Sequence, residues 1–207
     1  MRAYDIPIFP LPDVVLFPGV FLPLHIFEPR YRQMVKDVLA DHRTIGMALL
    51  KPGWQQDSEG RPIVFETGCA GLISHVEPLD DGRYNLVLRG IDKIRIASER
   101  GGKPYRVARV EYLIEPMNPE ERGMVRARRP RLEQLLTSAD TPDLPFPATL
   151  SDEEIVNALA QYLDFEPIER QALLERAGVA ARCEGLIDLL EMKSMADGHP
   201  PDRGLRH

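Results

Sequence analysis

The chain has 207 residues, of which 43% are hydrophobic and 28% charged, with a formal net charge of −6. That length can bury the core of one large domain or two small ones, and the composition is that of an ordinary globular protein. No run of 18 or more apolar residues occurs and Met1-Arg2-Ala3-Tyr4-Asp5 leads into no secretory signal, so no membrane span and a cytoplasmic location are expected.

The opening is punctuated by proline: six of the 19 prolines fall in the first 29 residues, among large apolar side chains. Proline cannot continue a ladder or sit inside a helix, so the segment predicts short strands broken by fixed turns. Pro29 suits the first position of a helix, where its missing N–H would be unpaired anyway. Tyr31, Met34, Val35, Val38 and Leu39 then recur at helical spacing, predicting an amphipathic helix over 29–41. Glu28 and Arg30 flank its start and are read as pinning the turn, the carboxylate resting near unpaired helix N–H groups.

Strand signals follow. Residues 45–50 read as a buried strand, 51–62 as a loop and 70–76 as a strand. Asp81-Gly82 is a hairpin turn signal. The stretches around Tyr84–Leu88 and Ile94–Ile96 alternate in polarity, and 105–113 supplies another strand. Several short strands around one helix suggest a small twisted barrel or sandwich.

The character changes at Glu115-Pro116-Met117-Asn118-Pro119, which reads as a boundary. Residues 120–137 are helix-prone, with Pro130 expected to break or kink the helix. Residues 140–149 read as an ordered loop. Ser151 with Glu154 forms a capping box that starts the next helix. Pro167 opens another, and a last helix runs from about Ala180. Residues 1–114 are thus expected to form a β domain, 115–197 a helical subdomain and 198–207 a frayed tail. The first part carries 15 Lys+Arg against 14 Asp+Glu, the remainder 11 against 18, so the acidity lies in the helical half.

The residues Phe9-Pro10-Leu11, Val15-Leu16-Phe17-Pro18-Gly19 and Leu22-Pro23-Leu24-His25-Ile26-Phe27-Glu28-Pro29-Arg30-Tyr31 resemble the start of the N-terminal, substrate-binding domain of Lon proteases. A second block, Gly68-Cys69-Ala70-Gly71-Leu72-Ile73 to Glu77-Pro78-Leu79 and then Asp81-Gly82-Arg83-Tyr84, is similar to the same family, and Gly90–Ile96 resembles its next strand pair. The similarity covers residues 5 to about 114; the helical remainder is similar in pattern only. It implies an α+β fold: a PUA-like small twisted barrel or sandwich with one inserted helix, then a C-terminal helical bundle. It implies the family's recognition module, standing alone. A Walker A loop is missing, since none of the five lysines follows its pattern, and nothing matches the domain that carries the family's Ser–Lys dyad.

No other chemistry emerges. The five histidines show no pair at the i, i+4 spacing of a helical zinc site, and no Cys-x-x-Cys occurs. His25 reads as a hydrogen-bonded histidine of a core or edge strand. Cys69 and Cys183 read as buried free thiols. Arg122, Arg126, Arg128, Arg129 and Arg131 read as a solvated helix face paired with Glu120, Glu121 and Glu133, or as a surface for an anionic partner. No catalytic residue, cofactor or metal is therefore expected. The expected partners are extended or unfolded polypeptides, or a partner protein. Phe17 and Phe21 are candidate contacts, should they stay outside the core, and an exposed barrel edge could add a peptide strand. The alternatives are RNA binding through the PUA-like fold, against which the acidic balance argues, and a small hydrolase using Cys69 or an isolated serine.

Overall fold

A computed structural model describes residues 3–54, 61–138 and 150–196. Six strands are present: β1 (Ala3–Leu11), β2 (Phe21–Ile26), β3 (Thr44–Leu49), β4 (Thr67–Pro78), β5 (Tyr84–Arg100) and β6 (Arg106–Leu113). Their order in the sheet is β2-β5-β4-β3-β1-β6, and pairing of β5 with β6 closes the last five into a barrel. Among the described strands β1 and β3 run parallel and the other pairs are antiparallel.

The two alternating stretches, around Tyr84–Leu88 and Ile94–Ile96, belong to one strand. β5 is 17 residues long. Its first half pairs with β2 and its second half with β6, so a single strand serves both the barrel and the extra strand beside it. Gly90 sits at the changeover. A Cβ there would lie 2.0 Å from the carbonyl oxygen of Phe17. Without one, Gly19 N–H donates to Gly90 O at 2.9 Å and Gly90 N–H to Val20 O at 2.8 Å. The turn before β2 is thereby sewn to the middle of β5.

Helix α1 (Pro29–Leu39) lies between β2 and β3 in sequence and buries Tyr31, Met34, Val35 and Val38. Those side chains join Phe9, Leu16, Ile26, Met47, Ile73 and Leu88 in one core. Ile6, Ile8, Ala48, Ile94, Ala108 and Val110 form a second core. Alternation along β1 divides Ile8 from Phe9 between the two, as strand geometry requires. Asp81-Gly82 makes the expected turn: Gly82 has φ 78° and its N–H donates to Leu79 O at 2.8 Å.

The described residues fall into two compact units. One joins those through Ile114 with Ala160–Glu175, and the other joins Glu115–Leu159 with those from Arg176 onward. Residues 160–175, placed by composition with the helical part, therefore pack with the sheet. They comprise the end of α3 (Asp152–Tyr162) and α4 (Pro167–Glu175). Polar anchors hold them there: Gln171 is buried and its Nε2 donates to Thr67 O at 3.0 Å.

The second unit is helical. Its α2 (Pro119–Ser138) continues through Pro130 as one helix, so of the expected break or kink no break occurs. Val125 is buried before that proline, and Leu132 and Leu135 after it. Packing on both sides carries the helix across the one N–H that proline removes. In α5 (Gly178–Ala196), Arg182 is fully buried, donating to Asn157 Oδ1 at 2.7 Å and to Glu115 Oε2 at 2.8 Å. The arginines of α2 pair chiefly outside their own helix: Arg128 with Glu184, Arg131 with Glu191, and Arg129 with both Glu133 and Asp152. The capping box forms, with Ser151 N–H donating to Glu154 Oε2 at 2.9 Å and Glu154 N–H to Ser151 Oγ at 3.2 Å. The loop and tail expected over 140–149 and 198–207 lie outside the described residues.

Candidate functional site

Strand β2 is where the opening motif meets the surface. Its side chains alternate: Leu22, Leu24 and Ile26 turn toward the core, while Phe21, Pro23 and His25 turn outward. Phe21 is 50% exposed and Phe27, just past the strand, 60% exposed. The Phe27 ring stacks on His25 with centroids 6.3 Å apart. Beside this strip is a cavity of about 350 Å³ lined by Pro23, Leu24, His25, His75, Asn85 and Val87. An apolar face with that much uncovered aromatic surface has the character of an interaction site.

A polar chain borders the cavity. With Nδ1–H of His25 donating to Asn85 Oδ1 at 2.7 Å, its Nε2 accepts from Arg83 Nη1 at 3.3 Å. Asn85 Nδ2 in turn donates to Glu77 Oε2 at 3.0 Å. Arg83 also holds Asp81, and that hydrogen bond keeps the Asp81 carboxyl below its usual range. Both His25 nitrogens are spent on protein partners, so the ring orients its neighbours. Among the described residues no three His, Cys, Asp or Glu side chains gather as a metal site.

The free edge of β2 is blunted. Phe21 O accepts from Gln161 Nε2 at 3.0 Å and from Tyr162 Oη at 2.5 Å. By strand alternation the backbone groups of Pro23 and His25 face the same way, and Pro23 has no N–H to offer. The outer face of the strand is open, while at its edge the Phe21 carbonyl is occupied and Pro23 offers no N–H.

Phe17 differs from Phe21. It has no exposed surface, and its backbone N–H donates to Gln161 Oε1 at 3.0 Å. It fills the core, so a ligand cannot touch it without opening the turn; the candidate contacts become Phe21 and Phe27. Gln161, absent from the sequence reading, holds both ends of the Phe17–Phe21 turn from 140 or more residues away. The pattern of α3 gives no sign of this, because a glutamine on a helix face reads as solvated.

The remaining signature residues have plain positions. Pro10 and Leu11 close β1, half-buried. Pro18 precedes Gly19, whose φ of 77° suits glycine. Pro29 opens α1. Glu28 makes no side-chain cap; its carbonyl accepts from Tyr31 and Arg32, and its carboxylate pairs with Arg30 at 2.9 Å. Arg30 lies 4.5 Å over the Tyr31 ring, which packs on Phe9. Burial is the main cause raising the Tyr31 phenol above its ordinary range. Cys69 and Cys183 are buried and in no disulfide with one another, and burial raises the Cys183 thiol above its ordinary range.

The family model described as the ATP-dependent protease La (LON) substrate-binding domain matches residues 5–192. Lon protease 2 of Myxococcus xanthus is 28% identical over 196 residues, which are 91% of this chain and 24% of that protein. The Lon protease of Escherichia coli (strain K12) is 24% identical over 200 residues, again covering 90% of this chain and 24% of the relative. The chain thus spans about a quarter of the length of the curated relatives it matches. Two solved structures share the fold. The N-terminal domain of the Mycobacterium avium complex Lon protease has a TM-score of 0.67 at 18% identity, covering 90% of this chain and 98% of that one. The Lon N-terminal domain protein from Xanthomonas campestris has a TM-score of 0.62 at 22% identity, covering 89% and 98%.

Proposed function

Since the chain belongs to the Lon substrate-binding domain family, we propose that it recognises polypeptides, holding extended apolar segments against the outer face of β2 without altering their bonds. The observation that carries this reading is the exposure of Phe21 and Phe27, 50% and 60%, beside the apolar cavity at Pro23 and Val87. Affinity then comes from burying side chains. Backbone pairing at Phe21 is closed off, because its carbonyl already accepts from Gln161 and Tyr162. A module of this kind tolerates varied sequence, since apolar burial has no direction. The same reading places it in the cytoplasm, where such segments appear during folding and damage.

An aromatic side chain buries roughly 150–250 Å² when covered. Half or slightly more of that remains exposed on each phenylalanine, so full covering contributes at most ~2–4 kcal/mol apiece at about 25 cal/mol/Å². Fluorescence anisotropy with a fluorescein-labelled, reduced and carboxymethylated lactalbumin tests this. The Phe21→Ser, Phe27→Ser double variant is expected to bind at least about tenfold more weakly, since half the ceiling is retained at a wet surface. Equal affinity of variant and parent refutes the reading. Displacement of the probe by single-stranded RNA with a steep salt dependence would refute it in favour of nucleic-acid binding.

A further inference from the structure

A second cavity lies where the end of β1, the start of α1 and the β5–β6 connection meet. Its volume is about 430 Å³, within the range of small-ligand sites. Among the described residues its wall carries Arg30, Arg61, Arg100, Lys103 and Arg106 with one carboxylate, Glu28. Five cationic side chains thus converge on one wall, each of them also held by a carboxylate.

The other carboxylates that hold these cations are not part of the wall. Arg100 Nη1 is 3.1 Å from Asp5, and Lys103 Nζ is 2.8 Å from Asp37. Arg61 and Arg106 share Glu99, at 3.4 and 3.5 Å. Asp5, Asp37 and Glu99 therefore set the positions of their cations from outside the cavity. Three hydrogen bonds converge on Asp37, from Lys103, Tyr105 and Gln33, so its negative charge is tightly fixed.

Arg106 is the most informative member. Its side chain is nine-tenths buried, and Nη2 donates to the Pro62 carbonyl. Its Nη1, although near Glu99, has no hydrogen-bond partner. Glu99, 3.5 Å away, offsets the charge, but the Nη1 donor itself is left for a further acceptor, and a buried donor without one is costly. Guanidinium forks match phosphate oxygens, and four arginines with one lysine suit an anion of more than one charge better than a lone carboxylate.

We propose that this cavity is a binding site for a small phosphate-bearing ligand of two or more negative charges, with Arg30, Arg100 and Lys103 meeting the phosphate oxygens and Arg106 completing the field behind them. The site is separate from the outer face of β2 in residues and in chemistry, so either can fail without the other.

Isothermal titration of the full chain with inorganic pyrophosphate, orthophosphate, ADP and succinate tests the assignment. Pyrophosphate is expected to bind more tightly than succinate at equal ionic strength. Comparable affinity for ADP and pyrophosphate assigns recognition to the phosphates alone; tighter ADP binding adds a contact to the nucleoside. The Arg100→Gln, Lys103→Gln double variant is expected to lose at least about tenfold in affinity, the scale of one or two charge-assisted hydrogen bonds. Arg128→Gln, a change in the helical unit, is expected to leave it unchanged. Circular dichroism confirms that each variant is folded, and Arg30→Lys serves as a second probe, keeping charge while losing the fork. Absence of pyrophosphate binding at 10 mM overturns the proposal, as does binding that the double variant retains or that Arg128→Gln weakens equally.

Discussion

Replacing Gln161 with methionine removes two hydrogen bonds while keeping most of the side chain's volume. The side chain is buried, and it joins the two ends of the Phe17–Phe21 turn. At Phe17 the substitution withdraws a side-chain acceptor from a buried N–H, which costs about 1–3 kcal/mol. At Phe21 the carbonyl keeps the Tyr162 hydroxyl, so only a net bond of ~0.5–1.5 kcal/mol is lost there. The expected total is about 2–4 kcal/mol. Urea unfolding followed by circular dichroism reads it as a lower midpoint with unchanged slope. Tyr162→Phe alone should cost ~1 kcal/mol or less, because Gln161 still serves the same carbonyl. The double variant should lose more than the sum, since it leaves Phe21 O with neither helix donor. A loss below ~0.5 kcal/mol for Gln161→Met, or strict additivity in the double variant, refutes the clamp.

Two further outcomes follow from the geometry. Gly90→Ala places a methyl group 2.0 Å from the Phe17 carbonyl oxygen, so β5 and the opening turn must part. A destabilisation of about 2 kcal/mol or more is expected, read as a fall in the thermal midpoint; an unchanged midpoint argues against the close approach. Hydrogen bonds from Lys103, then Tyr105 and Gln33, lower the Asp37 carboxyl from 3.8 to about 2. A group lowered in the folded state contributes stability that is complete above its unfolded value and fades as pH falls through the folded one. Asp37 should therefore contribute ~1 kcal/mol above about pH 4, after allowing for solvent screening, and lose it between pH 4 and 2. Tyr105→Phe should flatten that acid limb in a pH series of urea midpoints; an identical limb in parent and variant contradicts the assignment.

Much of the architecture was legible because its causes are local. Pro29 opens a helix whatever lies elsewhere, since it lacks only an N–H that the first turn cannot use. The Ser151–Glu154 box and the Asp81-Gly82 turn close through atoms three residues apart or fewer. The periodicity of Tyr31, Met34, Val35 and Val38 names the buried face of α1 before any partner is known. The proline-rich motif was equally readable as a family signature, because it spans many residues in a fixed order.

What the sequence left open depended on residues distant along the chain. Phe17 and Phe21 are the same residue type four positions apart, yet one is fully buried and the other half exposed; strand alternation and the seat made by Gly90 separate them. The arginines of α2 suggested partners on their own helix, but most of their carboxylates come from α3 and α5. The positive cavity draws its five cations from positions spread between 30 and 106, which no spacing rule groups. Short-range order is written in neighbouring residues because the chain geometry is fixed over a few bonds. Burial, charge pairing and the shape of a cavity are settled only when closure of the barrel and packing of 160–175 bring distant groups within reach.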